Sequence, residues 1–430
     1  MAAKEPYSIT AAELAARGRD DIPAPFIPAR HLIYSAPATL SYNSPGALGF
    51  GVKRAGLVIP ESAMLLVSPA ACGRNSTILS SREEYADRMF YLLMDQTDLV
   101  TGRHLKRIPE AIREILSVCD PAPKVIVICI TCVDALLGTD LEHVCREAQE
   151  ATGVRVVPSY MYALEREGRR PPMTAIRWTI YSLLERKKVD PRAVNLLGFF
   201  TPLDPDSDIF PLLQSMGIRR IRQVNAMKTL EEYAEMGSAN FNLVLHPEAR
   251  YAAEMLRKKL GMPYIEFARL YDPDRMHRQY QLLASALGTQ IDDGTEYQRA
   301  RDAADQFAAH MKEKGYPSCA IGEMINGDPY ELAAALTNRN VHVRAIFANV
   351  VPSSFPYIKR LAEVSPDTRI YTGIDPSMIN YQRISGVDFV IGKDAHVYCP
   401  DAPYIEWNRG EQPFGYRGME KLLSELEAVL

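Results

Sequence analysis

Two cysteines follow apolar runs that have the composition of buried β-strands. Cys72 comes shortly after the run at residues 65–67, and Cys132 comes directly after the run at residues 125–130. In open parallel sheets, ligands bind beyond the carboxyl ends of the strands, where helix N-termini point N–H groups at anions. We therefore expect both thiols to emerge at one edge of the same sheet.

Thiolates are the soft ligands that iron-sulfur clusters require, so Cys72 and Cys132 are candidate cluster ligands. A net-anionic cluster is stabilised by nearby N–H donors, such as those after Gly73 and before a predicted helix at Asp140. Two thiolates cannot saturate a four-thiolate cluster, so the other ligands are expected from a second copy or a paralogous partner. On position alone, small buried hydrophobic residues are the commoner interpretation of such cysteines.

The remaining cysteines have less informative settings. Cys129 and Cys132 show a thioredoxin-like or zinc-like spacing, but Cys129 lies inside a predicted strand and no second pair follows, so we interpret it as a core residue. The chain has seven scattered cysteines and no secretory signal pattern in its first 21 residues. We therefore expect a cytoplasmic protein with free or metal-bound thiols rather than a disulfide framework.

Other motifs limit the possible functions. No GxxxxGK[ST] loop occurs, so the chain is not expected to hydrolyse ATP itself. The glycine-rich residues 46–51 lack a preceding strand and the GxGxxG order, and no HExxH or GxSxG motif is present. A net charge of −4 without a basic stripe argues against nucleic acid, and no run approaches the ~20 apolar residues of a membrane span.

Apolar runs alternate with helical periodicity almost to the C-terminus, which predicts an α/β fold with parallel sheets. At 430 residues the chain is long enough for two or three such domains. We predict a cluster-binding domain with its N-terminal lead at residues 1–190, a second domain at 191–300 and a third at 301–430. The predicted strands lie at residues 63–68, 124–130, 154–158, 193–200, 241–246, 263–267, 319–324, 341–347, 369–372 and 388–391; the predicted helices include 81–95, 104–117, 140–152 and one long stretch at 272–314.

Taken in order from about residue 40 to residue 430, these segments resemble the component 1 subunits of nitrogenase and its relatives. The second cluster cysteine of that family follows a strand in a Gly-x-x-Gly-Cys-like loop and matches Cys72. The third opens a helix in a Thr-Cys segment and matches Cys132. Further similar segments lie at residues 98–105, 194–198, 261–264 and 414–418. The resemblance implies three Rossmann-like domains and an iron-sulfur cluster, [4Fe-4S] or P-cluster-like, shared with a partner subunit.

Two departures from the family limit what the resemblance implies. Residues 41–47 contain no cysteine where the family has its first cluster ligand. His246 stands where the catalytic subunit of nitrogenase has a cysteine ligand of its large cofactor, and residues 404–408 lack that subunit's late histidine. His246 is a candidate pocket residue: it either forms ordinary hydrogen bonds at a strand end, faces a substrate, or ligates a different cluster.

By resemblance, the chain is a subunit of an ATP-dependent nitrogenase-like reductase that receives electrons from a separate ATP-hydrolysing iron-sulfur reductase. Its substrate and catalytic residues are open, and a partner subunit of a methylthio-alkane reductase is one hypothesis. The alternative is a scaffold for metallocluster assembly without turnover. A third interpretation is a sugar- or metal-binding α/β protein with incidental cysteines.

Overall fold

The computed structural model describes residues 5–27, 30, 51–70, 87–161, 170–381 and 386–430. Its strands are β1 (Ser8–Thr10), β2 (Ser62–Ser68), β3 (Met89–Leu93), β4 (Val125–Thr131), β5 (Arg155–Met161), β6 (Asp190–Leu197), β7 (Arg220–Arg222), β8 (Ala239–Val244), β9 (Tyr264–Glu266), β10 (Ser318–Gly322), β11 (His342–Phe347), β12 (Arg369–Tyr371), β13 (Phe389–Ile391) and β14 (Tyr404–Ile405).

The α-helices alternate with these strands along the chain. They are α1 (Ala11–Arg17), α2 (Gly51–Gly56), α3 (Gln96–Thr101), α4 (Arg103–Val118), α5 (Cys132–Leu137), α6 (Leu141–Thr152), α7 (Pro172–Ser182), α8 (Ile209–Ser215), α9 (Leu230–Ala234), α10 (Arg250–Leu260), α11 (Pro273–Ala286), α12 (Gly294–Glu313), α13 (Pro329–Thr337), α14 (Phe355–Val364), α15 (Lys393–Tyr398) and α16 (Gly415–Val429). The predicted α/β fold with parallel sheets is confirmed.

The chain forms two compact units. The first unit comprises Gly51–Phe200 and Arg219–Glu266, and the second unit comprises Met1–Phe50, Thr201–Ile218 and Phe267–Leu430. The predicted domain boundaries near residues 190 and 300 stay a prediction. Among the described residues, no helix combines the length and the apolar character needed to cross a bilayer.

The first unit holds two four-stranded parallel sheets. The first sheet has the order β3-β2-β4-β5, and the second has the order β7-β6-β8-β9. Every residue of β2 and β4 is buried, because helices cover both faces of a parallel sheet, and both strands therefore read as unbroken apolar runs. Apolar residues of α4 and α6 pack on one face of the first sheet, as members of a core that includes Leu65, Ile112, Ile128 and Val144.

The second unit holds the third sheet, with the order β1-β12-β11-β10-β13-β14. Its last five strands are parallel, whereas β1 pairs antiparallel with β12 through Ile9 and Ile370. The N-terminal lead, in which the sequence suggests no strand, thus supplies an edge strand of this sheet.

Two predicted helices differ from the structure. The helix predicted at residues 81–95 is wrong over Met89–Leu93, which forms the edge strand β3 beside β2. Residues 71–86 lie outside the described part of the chain. The long helix predicted at residues 272–314 is two helices, α11 and α12, separated after Gly288, whose φ of +67° ends the first of them.

Candidate functional site

Cys132 lies at the carboxyl end of β4, where it is the first residue of α5. Its side chain is partly buried, and Thr131 before it is extended, with φ −104° and ψ −176°. The end of β2 is adjacent, because Val67 pairs with Ile130. Cys72 lies outside the described residues, so its approach to Cys132 stays a prediction.

The other described cysteines of the first unit are set apart from this position. Cys129 is fully buried within β4, and burial raises the pKa of its thiol to about 12. Burial also raises the pKa of Cys145, which packs in the core formed with α6. Both are therefore thiols packed in the core at neutral pH. The interpretation of Cys129 as a core residue is confirmed.

A buried hydrogen-bonded pair holds the helix that begins with Cys132. His104 of α4 and Asp134 of α5 are 1% and 0% exposed, and Nε2 of His104 lies 3.0 Å from Oδ1 of Asp134. Nδ1 of His104 lies 3.0 Å from the carbonyl oxygen of Asp98. The ring of His104 is thus hydrogen-bonded through both of its nitrogens, to a backbone carbonyl on one side and to a carboxyl group on the other. This pair fixes α5 against α4 two residues after Cys132.

The turn before α4 continues the same network. Asp98 is 2% exposed and forms a capping box with Asp95 at the start of α3. A hydrogen bond from Arg103 lowers the pKa of Asp98, and the backbone N–H of Asp95 adds to the effect. Asp98 and His104 belong to the segment at residues 98–105 that resembles the family, but the link from Asp98 through His104 to the helix of Cys132 is seen only in the structure.

Two hydroxyl groups lie beside Cys132 at the carboxyl edge of the first sheet, and they bear on whether an anionic group fits there. Ser68 ends β2 and Thr131 ends β4, and they are 0% and 1% exposed. Within the described part of the chain, neither hydroxyl oxygen has a hydrogen-bond partner. Buried hydroxyls without a partner are rare in native structures. Their position next to a partly exposed thiol fits a group that accepts hydrogen bonds.

His246 lies on another sheet of the same unit, directly beyond β8. Its Nδ1 accepts the backbone N–H of Glu248 at 3.3 Å, and its ring meets Phe199 edge-on with ring centroids 6.1 Å apart. The buried Arg177 donates to Glu248 at 2.6 Å and to the carbonyl oxygen of Gly198 at 2.9 Å. These contacts agree with a hydrogen-bonded histidine at a strand end. A role for His246 in a pocket stays a prediction.

Gly198 gives a test of this arrangement. Its φ is +131°, and a Cβ added there would lie 2.8 Å from both Cβ and the backbone nitrogen of His246. We expect Gly198→Ala to lower the free energy of unfolding by about 2–3 kcal/mol, because backbone strain and a steric clash add. Urea denaturation measures this loss. Gly153→Ala is the control, since Gly153 has φ +74° and nothing within 4 Å of the added Cβ; equal losses in both variants would contradict the clash.

A row of polar side chains crosses the carboxyl edge of the third sheet, in the second unit. The hydroxyl of Thr372 donates to Oδ1 of Asn349 at 3.1 Å, and Nδ2 of Asn349 donates to Oε2 of Glu323 at 3.1 Å. The backbone N–H of Glu323 donates to Oδ2 of Asp394 at 2.7 Å. These residues follow the adjacent strands β12, β11, β10 and β13, and the sequence analysis did not identify them as a group.

The two acids of this row have pKa values that are raised toward neutrality. Burial, followed by the charge of Asp394, raises the pKa of Glu323 to about 7. Burial raises the pKa of Asp394 to about 6. In the part of the chain that the structure describes, no group of three or more His, Cys, Asp and Glu side chains is placed to hold a metal ion. Their raised pKa values suit these acids to exchanging protons near neutral pH.

An open cleft of about 560 Å³ also lies in the second unit, beside the start of α16. Several charged side chains at this cleft are paired: Arg299 bridges Asp208 and Glu420, and Lys421 lies 3.1 Å from Asp204. Asp208 also accepts the backbone N–H of Arg417 in the first turn of α16. Because the carboxylate of Asp208 already supplies a negative charge at the N-terminus of α16, we interpret these ion pairs as contacts that stabilise the fold.

Comparison with known proteins agrees with the fold. The nitrogenase iron-molybdenum cofactor biosynthesis protein NifE of Bradyrhizobium diazoefficiens is 24% identical over 415 residues, which cover 90% of this chain and 74% of that protein. The nitrogenase molybdenum-iron protein alpha chain of Methanosarcina barkeri is 26% identical over 178 residues, covering 40% of this chain and 33% of its own. The solved structure of nitrogenase Cp1 at pH 6.5 superposes with a TM-score of 0.69 at 17% identity, covering 97% of this chain and 96% of that one.

Other relatives are matched over part of their length. The chain spans 57% of the NifE protein of Methanococcus maripaludis, at 25% identity over 280 residues. It spans 45% and 49% of two further NifE proteins. The model of the family described as nitrogenase component 1 type oxidoreductase matches residues 49–430, nearly the whole chain. This protein therefore belongs to the nitrogenase component 1 type oxidoreductase family.

Proposed function

We propose that this chain is a subunit of an ATP-dependent nitrogenase-like reductase, in which Cys132 and Cys72 hold an iron-sulfur cluster shared with a partner chain. The observation that carries the proposal is the position of Cys132 in a member of this family. Its partly exposed sulfur lies at the carboxyl end of a parallel strand and at the start of a helix anchored by the buried His104–Asp134 pair. When bound, the cluster supplies one-electron transfer.

The residues around Cys132 fit this role. Thiolate ligands, N–H groups at the start of α5 and two buried hydroxyl groups favour a net-anionic cluster. Two cysteines of one chain leave ligand positions for a paralogous subunit or a second copy. Leu136 and Leu137, in the same short helix, are 63% and 55% exposed, which supports a partner covering this edge.

The electron donor in this proposal is a separate ATP-hydrolysing iron-sulfur reductase. The sequence contains no GxxxxGK[ST] loop with which the chain could bind ATP phosphates itself. In this proposal a docked reductase would deliver electrons to the cluster held by Cys132 and Cys72, and the electrons would go on to a substrate site. His246 is proposed as a pocket residue of this chain, and its ring is held in place by the backbone N–H of Glu248, which donates to Nδ1.

Iron binding by cysteine variants tests the proposal. We expect Cys132→Ala and Cys72→Ala to lose most of the iron and sulfide that anaerobically purified wild-type protein carries, together with its electron paramagnetic resonance signal. Cys119→Ala is the matched control, because Cys119 is also partly buried in the first unit but lies at the end of α4, away from the strand ends. Iron retained by Cys132→Ala, or a colourless wild-type protein, contradicts the proposal.

A second candidate function is a scaffold on which a metallocluster is assembled and handed on. It is favoured by the similarity to proteins named for iron-molybdenum cofactor biosynthesis. Purified complex with the reductase and ATP separates the two functions. Reduction of a small molecule supports the reductase, whereas transfer of the cluster to an acceptor protein without turnover supports the scaffold.

A further inference from the structure

The hydroxyl groups of Ser68 and Thr131 lie side by side at the edge that carries Cys132. They end neighbouring strands, and the residues before them, Val67 and Ile130, are paired in the register of the sheet. Both side chains are buried, and neither hydroxyl has a partner among the described residues. A buried hydroxyl left unsatisfied costs about 1–3 kcal/mol. Two such groups at adjacent positions indicate a shared partner.

Thr131 is the N-cap residue of α5, yet it does not cap the helix. Threonine at this position ordinarily accepts an N–H from the first turn through its hydroxyl oxygen. No such bond forms at Thr131, whereas Asp140 caps the next helix by accepting the N–H of His143 at 2.9 Å. The hydroxyl of Thr131 is therefore not used by the helix that it begins.

Two buried hydroxyls elsewhere in the first unit are satisfied by the protein, although that of Ser159 in β5 also has no partner among the described residues. Ser62, at the opposite end of β2, donates to the carbonyl oxygen of Ile59 at 2.7 Å. Thr179 of α7 donates to the carbonyl oxygen of Pro158 at 2.9 Å. Both are also buried, with exposures of 2% and 4%. Burial alone therefore does not leave a hydroxyl without a partner. Ser68 and Thr131 differ from Ser62 and Thr179 in lying at the carboxyl edge of the sheet that carries Cys132.

We infer that Ser68 and Thr131 donate hydrogen bonds to sulfur atoms of the cluster held by Cys132 and thereby set its reduction potential. This inference rests on the proposed function. Reduction adds negative charge to the cluster, and a hydroxyl donor interacts more strongly with the more negative state. The two residues are positioning groups that favour the reduced cluster.

The midpoint potential of the iron-loaded protein tests the inference. We expect Ser68→Ala and Thr131→Val each to lower the potential. Combined, they should shift the one-electron reduction equilibrium on the order of tenfold, which is ~59 mV. The midpoint potential is measured by electron paramagnetic resonance during a redox titration. The signal comes only from the protein molecules that carry iron, so incomplete iron loading of a variant does not prevent the measurement. Ser62→Ala and Thr179→Val are matched controls and should leave the potential where it is in the wild type.

A second measurement on metal-free protein separates a cluster partner from a protein partner. Removing an unsatisfied hydroxyl is neutral or stabilising, so Ser68→Ala and Thr131→Val should not lower the free energy of unfolding of the metal-free protein. Ser62→Ala and Thr179→Val remove hydrogen bonds that exist and should lower it. Loss of metal-free stability in Ser68→Ala or Thr131→Val overturns the inference, as does an unchanged potential in the iron-loaded variants. A wild-type protein that binds no iron overturns the proposed function and this inference together.

Discussion

Replacing His104 with leucine is expected to lower the free energy of unfolding of the first unit by about 3–5 kcal/mol. The variant leaves the fully buried Asp134 with only the hydroxyl of Thr139, at 3.2 Å, among its described side-chain partners. Removing one member of a buried pair costs this much because the other member stays desolvated without its partner. Urea denaturation measures the loss, and hydrogen exchange by mass spectrometry shows whether α4 and α5 open first.

Two comparisons make the His104 result specific. His143→Leu changes an exposed histidine paired with Glu147 at 3.4 Å, and it should change stability by less than about 0.5 kcal/mol. The double variant His104→Leu/Asp134→Leu removes both polar groups and should recover most of the lost stability. If the double variant loses as much as the two single variants together, the buried pair is not the cause.

The central strands of the first sheet could be predicted from the sequence because both of their faces are buried. β2 and β4 therefore read as unbroken apolar runs with a cysteine beyond each of them. β3 was missed for the opposite reason. It is an edge strand in which Met89 and Leu92 are buried and the two residues between them are partly exposed, and this spacing of three imitates a helix.

The break between α11 and α12 was marked in the sequence by Gly288. A glycine with positive φ commonly ends a helix, but glycine also occurs inside helices, so the residue alone does not decide. Packing between residues of the two helices accompanies the break. His277 of α11 and Asp293, the residue before α12, lie 2.9 Å apart across the connection.

The candidate site was predictable only in part. The position of Cys132 follows from the strand before it and the helix after it, both of which are readable locally. The pairing of His104 with Asp134 joins residues 30 positions apart on two helices, and no local pattern carries that contact. The same holds for Glu323 and Asp394, which come from the ends of two strands and meet only when β10 and β13 pair.

Glu323→Gln is expected to stabilise the second unit at alkaline pH and to have little effect at acidic pH. Glu323 is raised from an ordinary pKa near 4.5 to about 7, first by burial and then by Asp394. Between these values the unfolded chain ionises while the folded protein keeps the proton. The unfolded state then binds fewer protons, so the free energy of unfolding falls as the pH rises. Above pH 7 both states are ionised and the loss is complete.

Glutamine cannot ionise, so the free energy of unfolding of the variant does not fall in this pH range. Its side-chain carbonyl oxygen can still accept the hydrogen bond from Asn349. The gain over the wild type should be below about 1 kcal/mol at pH 5 and reach about 3 kcal/mol at pH 8, since one pKa unit is worth about 1.4 kcal/mol. Trp178 and Trp407 are the two tryptophans of the chain, and they lie in different units. In a Trp178→Phe background, urea denaturation followed by the fluorescence of Trp407 therefore reports the second unit.

Glu363→Gln, an exposed glutamate of α14 in the same unit, is the matched control and should track the parent protein at every pH. A difference between Glu323→Gln and its parent that stays constant from pH 5 to pH 8 would show that Glu323 does not retain its proton. A difference that grows through this window shows that the carboxyl edge of the third sheet holds an exchangeable proton near neutrality. Because reduction of a substrate consumes protons as well as electrons, such a group complements the electron-transfer role proposed for the edge at Cys132.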